Sequence, residues 1–244
     1  MNIVGIIPCR FSSTRFPGKP LAKIGDKPMM WHVYQRAIEA NILDKVYIAT
    51  DDVRIFDVAK NLGLNVLMTK NSHKTGTDRL AEASEKINAN FYINIQGDEP
   101  FISPDSIRKV AKAILKCKDS LVKSVNAYTL LTPKDDVNNH NFVKVTTDIY
   151  SNALSFSRSV IPYPRSEYEL YKKTLGLYAF RKSALDIFLE NQPGPIERAE
   201  SIEMLRILEF GYKVLMVETS DSSIAVDTPQ DLEKAIDIYN HNGN

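Results

Sequence analysis

Along the first half of the chain, short apolar runs alternate with amphipathic stretches. Residues 3–7 are apolar and mostly branched, the pattern of a buried strand. Residues 8–18 are rich in Pro, Ser, Thr, Gly and Arg and predict a loop. Pro28 stands where a helix can begin, and Met29, Met30, Val33, Tyr34 and Ala37 recur at helical spacing behind it. Strands are predicted at 46–49 and 66–68. Between them, Asp51 and Asp52 can cap a helix whose apolar face is Ile55, Val58, Ala59 and Leu62, and Gly63 stops it. A helix over 77–87, a strand over 91–95 broken by Gly97, and a helix from Pro104 to Leu115 complete this half.

Strand and helix in turn predict an α/β fold with a mostly parallel central sheet and helices on both faces. Ligands of such sheets bind beyond the carboxyl ends of the strands. Three loops are expected there, at 8–19, 68–79 and 96–101. From about Leu121 the pattern changes. Runs at 121–131, 142–146, 153–157 and 174–180 look like strands with no helices between them, which predicts a strand-rich antiparallel insertion at about 121–182. Helices are expected again at 183–189, 196–210 and 229–239, with a strand at 214–217 and a frayed tail at 240–244.

A length of 244 residues suits one domain carrying such an insertion. The 31 basic and 30 acidic residues nearly cancel and no stretch is strongly basic, so nucleic acid is not an expected partner. No apolar run has the length of a membrane span, and residues 1–8 are too short for a signal peptide, so no membrane insertion is expected. Two cysteines, Cys9 and Cys117, suggest no disulfide framework and point to a reducing, cytoplasmic setting. His32, His73, His140 and His241 show no zinc spacing and are expected to be structural or at the surface. Phe156, Tyr163, Tyr168 and Tyr171 are expected in the core or at an interface.

Candidate chemistry concentrates in four places. The loop P-C-R-F-S-S-T-R-F-P-G-K at 8–19 carries Arg10, Arg15 and Lys19 beside Ser12, Ser13 and Thr14. Guanidiniums fork onto phosphate oxygens and an ammonium acts as a point charge, so the loop is equipped to hold a triphosphate. It matches neither the Walker A pattern nor the dinucleotide fingerprint. The run N-I-Q-G-D-E-P at 94–100 places Asp98 at a strand's carboxyl end, where a carboxylate can hold Mg²⁺, or simply make a turn. In V-D-T-P-Q-D-L at 226–232, Asp227 is either a helix cap or a second metal carboxylate facing Asp98. K-T-G-T-D-R at 74–79 is either a capped helix start or a base-recognition loop with Arg79 supporting phosphate.

In order and spacing, these runs together with N-F-V-K-V, F-S-R-x-x-I-P and L-G-L-Y resemble the 3-deoxy-manno-octulosonate (Kdo) cytidylyltransferases over nearly the whole chain, from Ile3 to about Ala235. The resemblance implies a Rossmann-like nucleotidyltransferase, usually a homodimer formed through the strand-rich insertion. It implies transfer of CMP from CTP to an acidic sugar with release of pyrophosphate, for lipopolysaccharide or capsule synthesis. It also implies that Arg10, Ser13, Arg15 and Lys19 hold the triphosphate, with Arg10, Lys19 and Asp98 catalytic. By the same resemblance Thr77, Arg79 and Gln96 lie near the nucleotide, Asp98 and Asp227 bind Mg²⁺, and Arg158, Arg165, Tyr178 and Glu203 line the sugar pocket. Two positions depart from the family. Thr174 stands where a histidine usually precedes the L-G-x-Y run, and Met204 where a glutamine usually follows the glutamate. Both belong to the sugar side, so a modified Kdo or a sialic-acid-like acid competes with Kdo as acceptor, and a non-catalytic nucleotide-binding regulator is the more distant rival.

Overall fold

The computed structural model describes residues 2–73, 75–220 and 224–242. In chain order the first half runs β1 (Ile3–Cys9), β2 (Lys23–Ile24), β3 (Lys27–Pro28), α1 (Met29–Glu39), β4 (Lys45–Thr50), α2 (Val53–Asn61), β5 (Val66–Met68), α3 (Gly76–Lys86), β6 (Phe91–Ile95) and α4 (Pro104–Lys116). The second half runs β7 (Val122–Leu130), β8 (Lys144–Thr147), β9 (Ala153–Ser157), β10 (Lys172–Arg181), α5 (Lys182–Glu190), α6 (Pro195–Glu200), α7 (Met204–Glu209), β11 (Lys213–Glu218) and α8 (Pro229–Asn242).

The central sheet has the order β11-β7-β10-β6-β1-β4-β5. Strand β1 pairs in parallel with both β4 and β6, and β4 with β5. Strand β10 runs antiparallel to both β6 and β7, so β7, and β11 parallel to it, point the same way as β1. The sheet is therefore mostly parallel, with β10 as the reversed strand of this path. The period-two alternation of β1 explains its unbroken apolar run. Val4 and Ile6 join one core with Leu80, Tyr92, Phe180, Leu185 and Leu205 under α3, α5 and α7. Ile3, Ile7 and Cys9 join the other with Val33, Ile55, Ile107 and Val110 under α1, α2 and α4.

From β1 the chain builds outward through β4 and β5, then crosses back to lay β6 on β1's other side. That reversal opens a crevice at the carboxyl ends of β1 and β6, where doubly wound sheets bind ligands. The loops after these two strands are 8–19 and 96–101.

Three local expectations change. The antiparallel strands expected at 121–182 pair as β7–β10 and β10–β8–β9, but β7 and β10 also complete the central sheet, and among the described residues β8 and β9 branch from its path through β10. The helix expected over 196–210 is two helices, because Ser201 takes a left-handed backbone (φ 53) and closes α6. That conformation turns the chain before α7 begins. Tail residues 240–242 continue α8, whereas 243 and 244 lie outside the described residues.

Candidate active site

The loop after β1 closes on itself through a bond from Gly18 N to Phe11 O (2.8 Å). Phe11 is in turn covered by the Arg54 guanidinium, 3.3 Å from its ring centre. Gly18 then leads into a 3-10 turn at Lys19–Leu21, which fixes the root of the Lys19 side chain. Ser13 accepts a bond from Phe16 N (3.3 Å) and shapes the loop's tip. Arg10 is exposed at the loop's entrance.

Asp98 and Asp227 are far apart in sequence but adjacent in space. A bond from Val226 N to Asp98 O (2.8 Å) ties the two segments together. Behind them, Ile24, Met29, Val226 and Ala235 form a small third core with Phe16, Phe101 and Leu232 packed on it. The capping of α8 falls to Thr228 and Asp231, whose hydroxyl, amides and carboxylate bond one another. Asp227 is thereby left to face the cleft. Its carboxylate meets Arg15 (3.0 Å) and Lys19 (3.0 Å), and Lys19 Nζ also donates to Asp98 Oδ2 (2.5 Å). Burial lowers the Lys19 pKa, but Asp98 and then Asp227 raise it on balance, so the ammonium is held charged.

A cleft of about 280 Å³ lies over these groups. Of the residues singled out from sequence, Arg10, Ser13, Arg15, Lys19, Arg79, Gln96, Asp98 and Asp227 line it. Arg79 is 3 % exposed, pairs with Asp51 (3.0 Å) and donates to Thr69 and Lys70 O, so its charge acts from the wall. Thr77 is fully buried and its hydroxyl donates to Glu203. Lys74, which opens that motif, lies outside the described residues. Gln96 is wedged between two glycines. A Cβ on Gly176 would stand 2.5 Å from Gln96 Cγ and 3.0 Å from Glu99 Oε1, and one on Gly76 would stand 3.6 Å from Gln96 Nε2. Gly97 likewise allows close approach, since a Cβ there would meet Pro8 O at 2.8 Å and Cys9 Sγ at 2.9 Å.

The four residues assigned to the sugar side do not line this cleft. Glu203 borders an adjoining hollow of about 670 Å³ that shares His73 and Thr75 with it. Burial raises the Glu203 pKa, opposed by bonds from Thr77 and Thr75. Tyr178 sits on β10 between Asn94 of β6 and Asn126 of β7, and burial, then the charges of Glu203 and Glu99, raise its pKa. Both amide atoms of Asn94 and the Asn126 carbonyl oxygen are buried with no hydrogen-bond partner among the described residues. Arg158 donates to the carbonyls of Glu200 (2.8 Å), His140 (3.0 Å) and Ser201 (3.3 Å), fastening β9 to the end of α6. Arg165 is exposed in the 158–171 segment. Thr174 N bonds Val143 O at the start of an irregularity in β10. Met204 is buried, with its sulfur 3.7 Å from the Ser124 hydroxyl.

His73 was not foreseen at the site. It lines the cleft and pairs with buried Glu82, which also accepts from Lys70 N (2.8 Å) and Lys86 (2.6 Å). Its position one residue before the K-T-G-T-D-R run was the available signal. Cys9 lies under the cleft floor, and burial, then the charge of Asp98, pushes its thiol pKa up to about 12. A thiol so protonated is a poor nucleophile. Cys9 is therefore expected to resist an aromatic disulfide reagent at pH 8 in the native protein and to react only on unfolding. Native-state thiol titration checks this, and prompt labelling of Cys9 would contradict it.

A cytidylyltransferase family model matches residues 4–218. The 3-deoxy-manno-octulosonate cytidylyltransferase of Solibacter usitatus is 44 % identical, covering 98 % of this chain and 94 % of the relative. That of Geobacter metallireducens is 41 % identical, covering 97 % of each. Among solved structures, a CMP:2-keto-3-deoxy-manno-octonic acid synthetase complexed with CTP superposes with a TM-score of 0.94 at 36 % identity, over 99 % of this chain and 100 % of that one. A 4-diphosphocytidyl-2C-methyl-D-erythritol synthase from Anaerococcus prevotii shares the fold alone, at 17 % identity and a TM-score of 0.63, over 98 % of each chain. With this cleft at the β1–β6 crevice and these relatives along almost its entire length, the chain belongs to the cytidylyltransferase family, among the 3-deoxy-manno-octulosonate cytidylyltransferases.

Proposed function

We propose that the cleft binds CTP and transfers its CMP group to Kdo or a close 3-deoxy-2-ulosonic acid, releasing pyrophosphate for lipopolysaccharide or capsule synthesis in the cytoplasm. The observation that carries this reading is the convergence of Asp98, Asp227, Lys19, Arg15 and Arg10 at the β1–β6 crevice. In the reaction the sugar's anomeric hydroxyl oxygen bonds to the α-phosphorus. The bond from that phosphorus to the bridging oxygen breaks, its electron pair leaves with pyrophosphate, and the hydroxyl proton passes to solvent.

The carboxylates suit Mg²⁺, because they offer hard oxygen donors and already gather around one cation, the Lys19 ammonium. When bound there, the ion would neutralise phosphate charge and polarise the α-phosphoryl group. Arg10, Arg15 and Lys19 supply donors for the charge that accumulates on pyrophosphate. Gln96 and the backbone at Thr75 and Gly76 line the same cleft and would supply hydrogen-bonding groups to orient the nucleoside. Most of the acceleration in such a site comes from positioning. On the acceptor side, Glu203 would offer a polar contact from the adjoining hollow and Tyr178 a hydroxyl from β10, with Arg165 the exposed cation for the sugar carboxylate; Arg158 would join only by giving up its carbonyl partners. Two copies joining through the β8–β9 region would cover Ile149, Tyr150 and Leu154, which are 91 %, 75 % and 64 % exposed.

A second reading rests on Met204. Met204 is buried with its sulfur turned to Ser124 and supplies no amide, so if this position meets the sugar, an acid that differs from Kdo there would fit better. Pyrophosphate release is expected only when CTP and an ulosonic acid are both present. A panel of Kdo, modified Kdo and sialic acid decides the acceptor. CTP binding with no pyrophosphate from any acid would instead favour a non-catalytic role.

A further inference from the structure

Lys19 does more at this site than wait for phosphate. Its ammonium has three N–H donors, and three acceptors surround it: Asp98 Oδ2 at 2.5 Å, Asp227 Oδ1 at 3.0 Å and Val226 O at 3.3 Å. Its side chain is 14 % exposed and that of Asp98 23 %, so water screens this pair only in part, while Asp227, at 38 %, stands at the solvent edge. The contact spans 79 and 208 residues of sequence, and the lysine and the carboxylates are held by separate elements. The root of Lys19 is set by the turn after Gly18, and the carboxylates by the Val226–Asp98 backbone bond.

We propose that Lys19 is the resident counter-cation of the Asp98–Asp227 pair, so that a divalent ion settles there only together with the triphosphate that draws the ammonium away. The inference rests on the metal reading given above. Two carboxylates this close repel each other without a cation, and the ammonium supplies one before any ligand arrives. A divalent ion approaching the same oxygens meets a positive charge already bonded to both, at short range. CTP changes the balance because its phosphate oxygens offer Lys19 new acceptors within the same cleft. The long, flexible lysine stem permits that transfer while its root stays fixed. Arg15 follows the same logic on the outer side: it pairs with Asp227 through a side chain that is 60 % exposed, and so is readily released to phosphate. The site thus stays neutralised when empty and resists capture by a free metal ion.

The test is Mn²⁺ binding to the nucleotide-free chain, read by the loss of the free-ion electron paramagnetic resonance signal. Wild type is expected to bind Mn²⁺ weakly without nucleotide and, with CTP, to take up about one ion per chain beyond the Mn²⁺ that the same CTP holds without protein. Lys19→Met is expected to bind Mn²⁺ about 10-fold or more tightly than wild type without nucleotide. Lys19→Gln should behave alike, and thermal midpoints report that each variant is folded. Adding Asp98→Asn to Lys19→Met should abolish the gain. Equal Mn²⁺ affinity with and without Lys19 overturns the inference and leaves the metal reading standing. No Mn²⁺ uptake by any variant beyond that of CTP alone overturns both.

Discussion

Asp98→Asn is expected to reduce turnover by about 10²-fold or more, the usual cost of losing one placed stabiliser of transition-state charge. The substitution keeps the side chain's volume and removes its charge. The backbone tie from Val226 N to Asp98 O survives, so the two segments stay together. Lys19 keeps its 3.0 Å contact with Asp227. What is lost is one of the two carboxylates that converge on a cation in the cleft. Pyrophosphate release at saturating CTP and sugar measures the effect, with the thermal midpoint as a check that the fold is intact. Turnover near that of the wild type would remove Asp98 from the chemistry.

Arg206→Met is expected to give the largest loss of stability. Arg206 is 2 % exposed and sits where α7 meets α6. Its guanidinium donates to both carboxylate oxygens of Glu197, at 2.6 and 2.7 Å, and lies 4.5 Å from the centre of the Phe188 ring. It also donates to Asn191 O (3.3 Å) and stands 3.6 Å from Asp78. Methionine fills much of the space but leaves Glu197, 5 % exposed, without its cation. Breaking a buried pair from one side costs roughly 3–5 kcal/mol. For a chain of this size that corresponds to a fall of roughly 6–20 °C in thermal midpoint. Pairing Arg206→Met with Glu197→Leu should recover much of the loss, because no charge is then left buried alone. A single variant as stable as wild type would contradict this account.

The two experiments separate chemistry from scaffold, and they differ in how visible their residues were beforehand. Asp98 stood out as a carboxylate beside a glycine at a strand's end, and only the order and spacing of the motifs together favoured a metal role over a simple turn. Arg206 did not stand out, because one arginine in an amphipathic helix gives no sign of being buried. The same holds for Ser201. Its left-handed backbone splits the expected helix in two, and propensity alone does not reveal a residue forced into that conformation by its neighbours. His73 was set aside for lack of zinc spacing, and its place at the cleft depends on Glu82, nine residues away on α3.

By itself the sequence determined the alternation of buried strands and amphipathic helices, the loops that follow β1 and β6, and the kind of chemistry those loops carry. These are local properties: periodicity, proline and glycine punctuation, and the donors that short motifs supply. The tertiary structure alone decided that the antiparallel strand β10 is inserted between β6 and β7 of the central sheet, that Asp98 and Asp227 share one ammonium, and that Thr77 turns inward to Glu203. Each of these depends on contacts between segments many residues apart. Such contacts are set by how the whole core packs and by which buried polar groups find partners, and no window of sequence contains both sides.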